Sequence, residues 1–339
     1  SIFIVNKIWR IYLLCFNLWN TYYHMNIFFP KEHINEPRFS LTGETAEKFL
    51  KKNIDLYIEE TVEFQDALLK NLIETSKLKT IPIHQGLSSA DIICSLNKLN
   101  LDDINHVKQD ALIVSFLDPF NEVDLISELK NRSISSISME LVPRTTRAQK
   151  MDALSSQANL AGYSAVIIAS NYLEKALPMM MTAAGTISPS KVFVVGVGVA
   201  GLQAIATAKR LGARVEAFDT REEVEDQVKS LGARFVKIDL GETEQTSQGY
   251  AKALTADQIK KQQEGMKKVC SSSDIVITTA QVFGRPAPKI ITAEMVEAMQ
   301  PGSVVVDMAV SSGGNVEGSK KGEIVDINGI KIIGNINLP

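Results

Sequence analysis

The chain has 339 residues, enough for about two domains at ~150 residues each. Hydrophobic residues make up 45% and charged residues 22%, and the net charge is −3. Disorder, collagen, a disulfide scaffold and a basic nucleic-acid binder are thereby excluded as the main class. Cys15, Cys94 and Cys270 are scattered thiols with no paired spacing, which suits a reducing compartment and offers no metal site. Residues 1–24 hold both tryptophans and no acid. They read as sequence translated upstream of a start at Met25 or as a targeting peptide, outside the fold. From Met25 onward no segment reads as a membrane span.

Apolar runs then alternate with helical patterns, the signature of parallel α/β architecture. The first half predicts strands near 26–29, 55–59, 90–95, 112–116 and 134–139, with helices near 43–52, 64–76 and 121–131. Pro143 biases Val142 away from helix, so a boundary falls there. Thr146 to Gln149 matches a capping box, which predicts a long helix from there to about 172. The expected division is an N-terminal α/β domain over 25–160 and a second domain over 161–339.

The second half is more regular. Pro178 to Ala184 reads as a short helix closed by Gly185. Strands are predicted at 191–195, 214–218, 234–238, 274–279 and 303–308. Helices are predicted over 201–211 and 221–231, and a Lys- and Gln-rich helix follows a polar stretch at 239–254. Asn328-Gly329 between apolar runs is the type I′ hairpin signal.

Gly196-x-Gly198-x-x-Gly201 follows a strand and opens a helix, and Asp219 follows at close to the ~20 residues required. Gly196 permits the tight turn, Gly198 lets backbone approach a pyrophosphate, and Gly201 packs helix on sheet. The pyrophosphate then sits at the positive helix end, at Val199. Asp219 accepts hydrogen bonds from ribose hydroxyls and favours NAD over NADP. Thr220 to Glu223 is itself a capping box, so Asp219 can also be read as a turn residue. Arg221 complicates the preference, because an arginine there can accept a 2′-phosphate.

The run Val142 to Tyr163, the segment Pro178-Met-Met-Met-Thr-Ala-Ala-Gly-Thr186 and the run Gly198 to Gly212 are distinctive. Together they resemble the NAD(H)-binding component, domain I, of proton-translocating NAD(P) transhydrogenase, within a superfamily that includes alanine dehydrogenase. The resemblance implies two Rossmann-like domains with parallel sheets around a cleft, linked by a long helix. It implies NAD(H) on the second domain and Re/Si-specific hydride transfer to NADP(H) on a partner domain. It further implies coupling to a membrane-spanning domain, a homodimer, and a peripheral place on the cytoplasmic or matrix face of the inner membrane. Arg144, Thr145, Thr146, Gln149, Asp152 and Ser155 match the segment around the nicotinamide. Gly249 and Tyr250 match a mobile loop that closes on the nucleotide. Thr278, Thr279 and Ala280 match the strand end lining the cofactor.

The sequence departs from that family at several points. Glu59 to Glu63 stand where a glycine-rich turn is usual, and Gln248 and Phe283 replace a glycine and a proline. A segment returning to the first domain is expected beyond Pro339. Alanine dehydrogenase is the alternative enzyme reading. Its pattern places a Lys and a His where this chain has Ser95 and Asp118, while Arg38 is retained. A non-catalytic NAD-binding subunit is a third reading. Hydride transfer between two nicotinamides needs no general base, which suits a second half without histidine.

Overall fold

The computed structural model describes residues 25–34, 36–63, 66–240, 255–281 and 284–334. These form two compact units that meet in sequence between Ser156 and Gln157.

The first unit holds strands β1 (Asn26–Phe29), β2 (Asp55–Glu59), β3 (Lys79–Ile81), β4 (Ile92–Asn97), β5 (Leu112–Phe116) and β6 (Ser135–Ser138). They form a parallel sheet in the order β3-β2-β1-β4-β5-β6. Helices α1 (Gly43–Leu50), α2 (Ala67–Glu74), α3 (Ile83–Ser89), α4 (Leu101–Ile104) and α5 (Val123–Asn131) connect them. Side chains alternate across the sheet, as the two-residue strand period requires. Ile27, Phe29, Leu56 and Ile58 pack in one core, and Phe28, Ile93 and Ile113 in the other. Helix starts are set by short polar caps. Thr42 accepts from the Thr45 amide, and Asp66 accepts from the Leu68 and Leu69 amides.

Helix α6 (Ala153–Tyr172) runs across the sequence boundary between the units and contains no charged residue. The predicted start at Thr146 is corrected. Residues 149–151 form a tight 3-10 turn closed by the Met151 and Asp152 amides, which donate to the Ala148 and Gln149 carbonyls, and the Gln149 amide donates to the Thr145 carbonyl rather than into a Thr146–Gln149 box. The helix begins after Asp152. Its carboxylate accepts from the Ser155 amide at 2.8 Å and from the Ser155 hydroxyl at 2.5 Å. A short carboxylate at this position satisfies donors that a helix start leaves open.

The second unit opens with a β-hairpin, β7 (Met180–Thr182) and β8 (Gly185–Ile187), where a short helix is predicted. The segment is too short to nucleate a helix on its own. Gly185 adopts φ +130° and the Thr182 hydroxyl donates to the Gly185 carbonyl, which closes the turn.

Strands β9 (Lys191–Val195), β10 (Arg214–Phe218), β11 (Arg234–Phe235), β12 (Ile275–Thr278), β13 (Val304–Asp307), β14 (Ile324–Ile327) and β15 (Ile330–Ile333) build the main sheet. Their order is β11-β10-β9-β12-β13-β15-β14, parallel except for the terminal β14–β15 hairpin. That hairpin turns on Asn328 and Gly329, both at positive φ, as a type I′ turn demands.

Helices α7 (Val199–Arg210), α8 (Glu225–Ser230), α9 (Ala256–Ser271) and α10 (Ala293–Glu297) flank this sheet. The predicted 221–231 helix begins instead as a 3-10 turn over 222–224, preceded by Arg221 without a side-chain cap. The expected Thr220–Glu223 box is not what opens it. Strand β11 is shorter than the predicted 234–238 and is an edge, paired on one side only. Residues 1–24 and Gly249, Tyr250, Gln248 and Phe283 lie outside the described residues.

Asp152→Ala should destabilise the fold by about 1 kcal/mol in chemical denaturation, and Asp152→Asn should restore most of the loss. Equal stability of Asp152→Ala and the parent would place the start of α6 elsewhere.

Candidate functional site

In an open parallel sheet, ligands bind beyond the carboxyl ends of the strands, where the strand order reverses. In the second unit that point lies between β9 and β12. Strand β9 is buried at Val192 to Val195 and runs into the Gly196 turn. The Gly196 amide donates to the Phe218 carbonyl at 2.9 Å, tying the turn to the end of β10. Gly196 holds φ +96°. A Cβ on Gly201 would lie 1.9 Å from the Gly196 carbonyl oxygen, so only glycine allows α7 to start this close to the turn.

Gly198 differs from both. A Cβ there would meet nothing within 4 Å, and Gly198 starts α7 with no side-chain cap. The turn therefore presents open space over the positive end of a helix, with Val199 38% exposed beside it.

Thr278, Thr279 and Ala280 close the other side. The Thr279 hydroxyl donates to the Gly196 carbonyl at 3.0 Å, and its amide donates to Val195. Two residues that the sequence motifs did not single out fix this edge. Asp307, fully buried at the end of β13, accepts from the amides of Ala309, Asn315 and Val316. Asn315 is also fully buried. Its amide side chain accepts from the Ala280 N–H at 3.1 Å and donates to the Ala280 and Pro288 carbonyls. An acid ending the all-apolar run Val304–Val306, and a Gly313-Gly314-Asn315 turn, were the available signals.

Asp219 ends β10. Its carboxylate accepts from the Val197 amide at 2.7 Å and the Arg221 amide at 2.9 Å. It also accepts a two-pronged bond from the Arg221 guanidinium, both distances 2.9 Å. That hydrogen bond raises the Arg221 pKa further above its ordinary value, against partial burial. Beside the pair, Phe218, Thr220, Phe235 and Lys237 line a shallow recess. The structure thus brings Gly196, Gly198, Val199, Gly201, Asp219, Thr220, Arg221, Thr278, Thr279 and Ala280 to one edge of one sheet.

The remaining predicted residues that the structure describes belong to the first unit. Arg144, Thr145, Thr146 and Gln149 are exposed, whereas Asp152 is buried and Ser155 partly so. Gln149 and Asp152 both fall within the helix predicted from Thr146, but the structure puts neither inside it. Gln149 lies in the turn before α6, and Asp152 caps the helix.

The first sheet has its reversal between β1 and β4. Its strand ends are closed by the chain's own carboxylates. Glu32 accepts from the Leu96 and Asn97 amides at 2.7 and 3.0 Å. Glu59 accepts from the Lys31 amide and the Thr61 hydroxyl, and Glu140 from the Leu117 and Asp118 amides. Arg38 is clamped by Glu36 through two contacts of 2.6 Å. Ser95 is buried and its hydroxyl donates to the Asn97 carbonyl. Asp118 accepts from the Asn121 side chain.

Two family models match the chain: the alanine dehydrogenase/PNT N-terminal domain over residues 28–161 and its C-terminal domain over 165–339. The chain is 44% identical to an NAD(P) transhydrogenase subunit alpha (its first part) from Rickettsia prowazekii, over 93% of this chain and 84% of that protein. It is 42% identical to the protein of the same name from Rhodospirillum rubrum, with the same coverage. Among solved structures, a transhydrogenase from Sinorhizobium meliloti is 38% identical with a TM-score of 0.80, covering 92% of this chain and 86% of that one. An L-alanine dehydrogenase shares the fold with a TM-score of 0.74 at 22% identity, covering 93% and 83%.

Burial pushes the Glu32 pKa up to about 7, against the lowering effect of its backbone hydrogen bonds. The native state then holds a proton that the unfolded chain has released between about pH 4.5 and 7. Stability owed to Glu32 accordingly falls as pH rises through that window and levels off above it, by about 3 kcal/mol in all. Urea denaturation from about pH 5 to 8 should show this decline, and Glu32→Gln should flatten it. Identical pH slopes would remove Glu32 as its source.

Proposed function

The chain belongs to the alanine dehydrogenase/PNT family, and we propose that it is the NAD(H)-binding component of a proton-translocating NAD(P) transhydrogenase. The observation that carries this reading is the contrast between the two sheet edges. The second unit's edge is open over an uncapped helix start, while the first unit's edge is occupied by its own carboxylates.

The residues present fit a dinucleotide. Gly196, Gly198, Val199 and Gly201 would hold the pyrophosphate on backbone amides, and Asp219 with Thr220 the adenosine ribose, at the site where Arg221 lies. Thr278, Thr279 and Ala280 would line the nicotinamide half. Arg144, with Thr145 and Thr146, would hold the carboxamide through its planar donor fork. Gln149, Asp152 and Ser155 would surround the ring, with Gly249 and Tyr250 joining them on the nucleotide. When bound, reduced nicotinamide supplies a hydride to the oxidised ring of NADP on a partner domain, with no proton to move. The chain's part is to align and to exclude water, and Asp152 keeps Gln149's turn fixed at the start of α6.

An amino-acid oxidoreductase would need a free cation for the substrate carboxylate and a base. Arg38 is taken by Glu36, and Ser95 and Asp118 are engaged within the chain. That favours transhydrogenase over alanine dehydrogenase chemistry.

Among the described residues, no helix is long and apolar enough to cross a membrane. Attachment to the inner membrane, on its cytoplasmic or matrix face, would then run through the membrane-spanning partner domain. We infer a homodimer from the uncharged helix α6, with Tyr163 and Ile167 exposed, and from the hairpin that exposes Met179, Met180, Met181 and Ile187. Two isolated strands are marginal in water and gain from a partner.

The chain should bind NADH more tightly than NADPH in a fluorescence titration. It should exchange hydride between nucleotide analogues only when an NADP-binding component of a transhydrogenase is added. Alanine-dependent NADH formation by the chain alone would overturn the reading. Gly198→Ala should fold normally, because its Cβ enters open space, yet lose about tenfold or more in NADH affinity. Gln149→Asn should keep NADH affinity and thermal stability while cutting exchange by about 10²-fold. Full exchange by that variant would remove Gln149 from the transfer site.

A further inference from the structure

A carboxylate offers about four lone-pair positions, two on each oxygen. At Asp219 all are taken. Oδ1 accepts from the Arg221 backbone amide and from Nε, each at 2.9 Å. Oδ2 accepts from the Val197 amide at 2.7 Å and from Arg221 Nη2 at 2.9 Å. The same Nη2 also donates to the Val197 carbonyl at 3.2 Å, so the guanidinium lies against the glycine turn itself. The pair is well covered, with the Asp219 side chain 7% and the Arg221 side chain 17% exposed.

Two of these four donors are backbone amides. Val197 N–H belongs to the turn after β9, and Arg221 N–H to the bend after β10. Neither can leave without unmaking its turn. The guanidinium is the one donor group that a side-chain rotation can withdraw. A ribose diol donates its two hydroxyls to the same two oxygens.

We propose that Arg221 closes the ribose site of the nucleotide-free protein, and that the adenosine ribose binds by displacing the Arg221 guanidinium from Asp219. This rests on the assignment of NAD(H) to the second unit. The exchange replaces a charge-assisted fork by two neutral hydroxyls, so Arg221 lowers the affinity for the nucleotide it admits. It also sharpens selection. A 2′-phosphate has no 2′ hydroxyl proton to donate in place of the fork, and its charge opposes the carboxylate that the departing guanidinium uncovers.

The test is Arg221→Gln, with Arg221→Lys as a second variant that keeps the charge without the fork. NADH affinity is read by fluorescence titration, and thermal unfolding is followed without and with saturating NADH. Arg221→Gln should bind NADH about tenfold more tightly. It should unfold at lower temperature than the parent without nucleotide, and close to the parent with it, because the fork exists only in the free protein. Arg221→Lys should tighten binding in the same direction, by less. In the unaltered protein, the ¹⁵N resonance of Arg221 Nε should move on NADH addition.

Weaker NADH binding by both variants, or an equal loss of melting temperature with and without NADH, would overturn the proposal. Arg221 would then stay on Asp219 or hold the nucleotide directly. A parent protein that binds no NADH removes the cofactor assignment and this proposal with it. A parent that binds NADH while Arg221 Nε stays unmoved removes the proposal alone.

Discussion

The approach of α7 to the turn after β9 is the constraint on which the second unit is organised. The Gly201 α-carbon lies so near the Gly196 carbonyl that a methyl group would sit 1.9 Å from its oxygen. The Thr279 hydroxyl bonds that same carbonyl, which ties the end of β12 to the turn. Asn315 then fixes both polar groups of Ala280, and Asp307 fixes the loop that carries Asn315. Polar groups buried this deeply are costly unless satisfied, so the network specifies one arrangement of the edge. The helix start and the space over Gly198 follow from it.

The two sheets begin from the same strand order around their reversal points, yet chemistry separates them. In the second unit the reversal point ends in glycines and backbone amides that face open space. In the first, Glu32, Glu59 and Glu140 take up the amides of neighbouring strand ends, and Glu36 takes Arg38. One topology thus provides a ligand edge in one unit and a self-satisfied edge in the other. Side-chain length decides which, because a glutamate reaches across one strand spacing and glycine leaves room for something else.

Much of this was legible in the residues alone. Periodicity located β1, β2, β5, β9 and β10 at their observed bounds. Gly196-x-Gly198-x-x-Gly201 with Asp219 marked the open edge, and Asn328-Gly329 the hairpin at the sheet's far side. These signals are local, because strand period, turn glycines and a fixed spacing act within a few residues of chain. Short elements such as β3, α3 and α4 carry too few residues for a period to register.

The sequence by itself determined the α/β class and the glycine turn, since each rests on residue types at short fixed spacings, and its long distinctive runs carried the family resemblance. Tertiary structure decided what those residues face. The sequence put the helix start at Thr146, and only the folded chain shows Asp152 as its cap. The segment from Pro178 folds as a hairpin, and the Ser190 amide donates to the Leu177 carbonyl across its base. The Val197 partner of Asp219, and the Leu96 and Ala280 partners of Glu32 and Asn315, lie far away in sequence. No one-dimensional pattern encodes such pairings, because they form only when the strands are aligned in register.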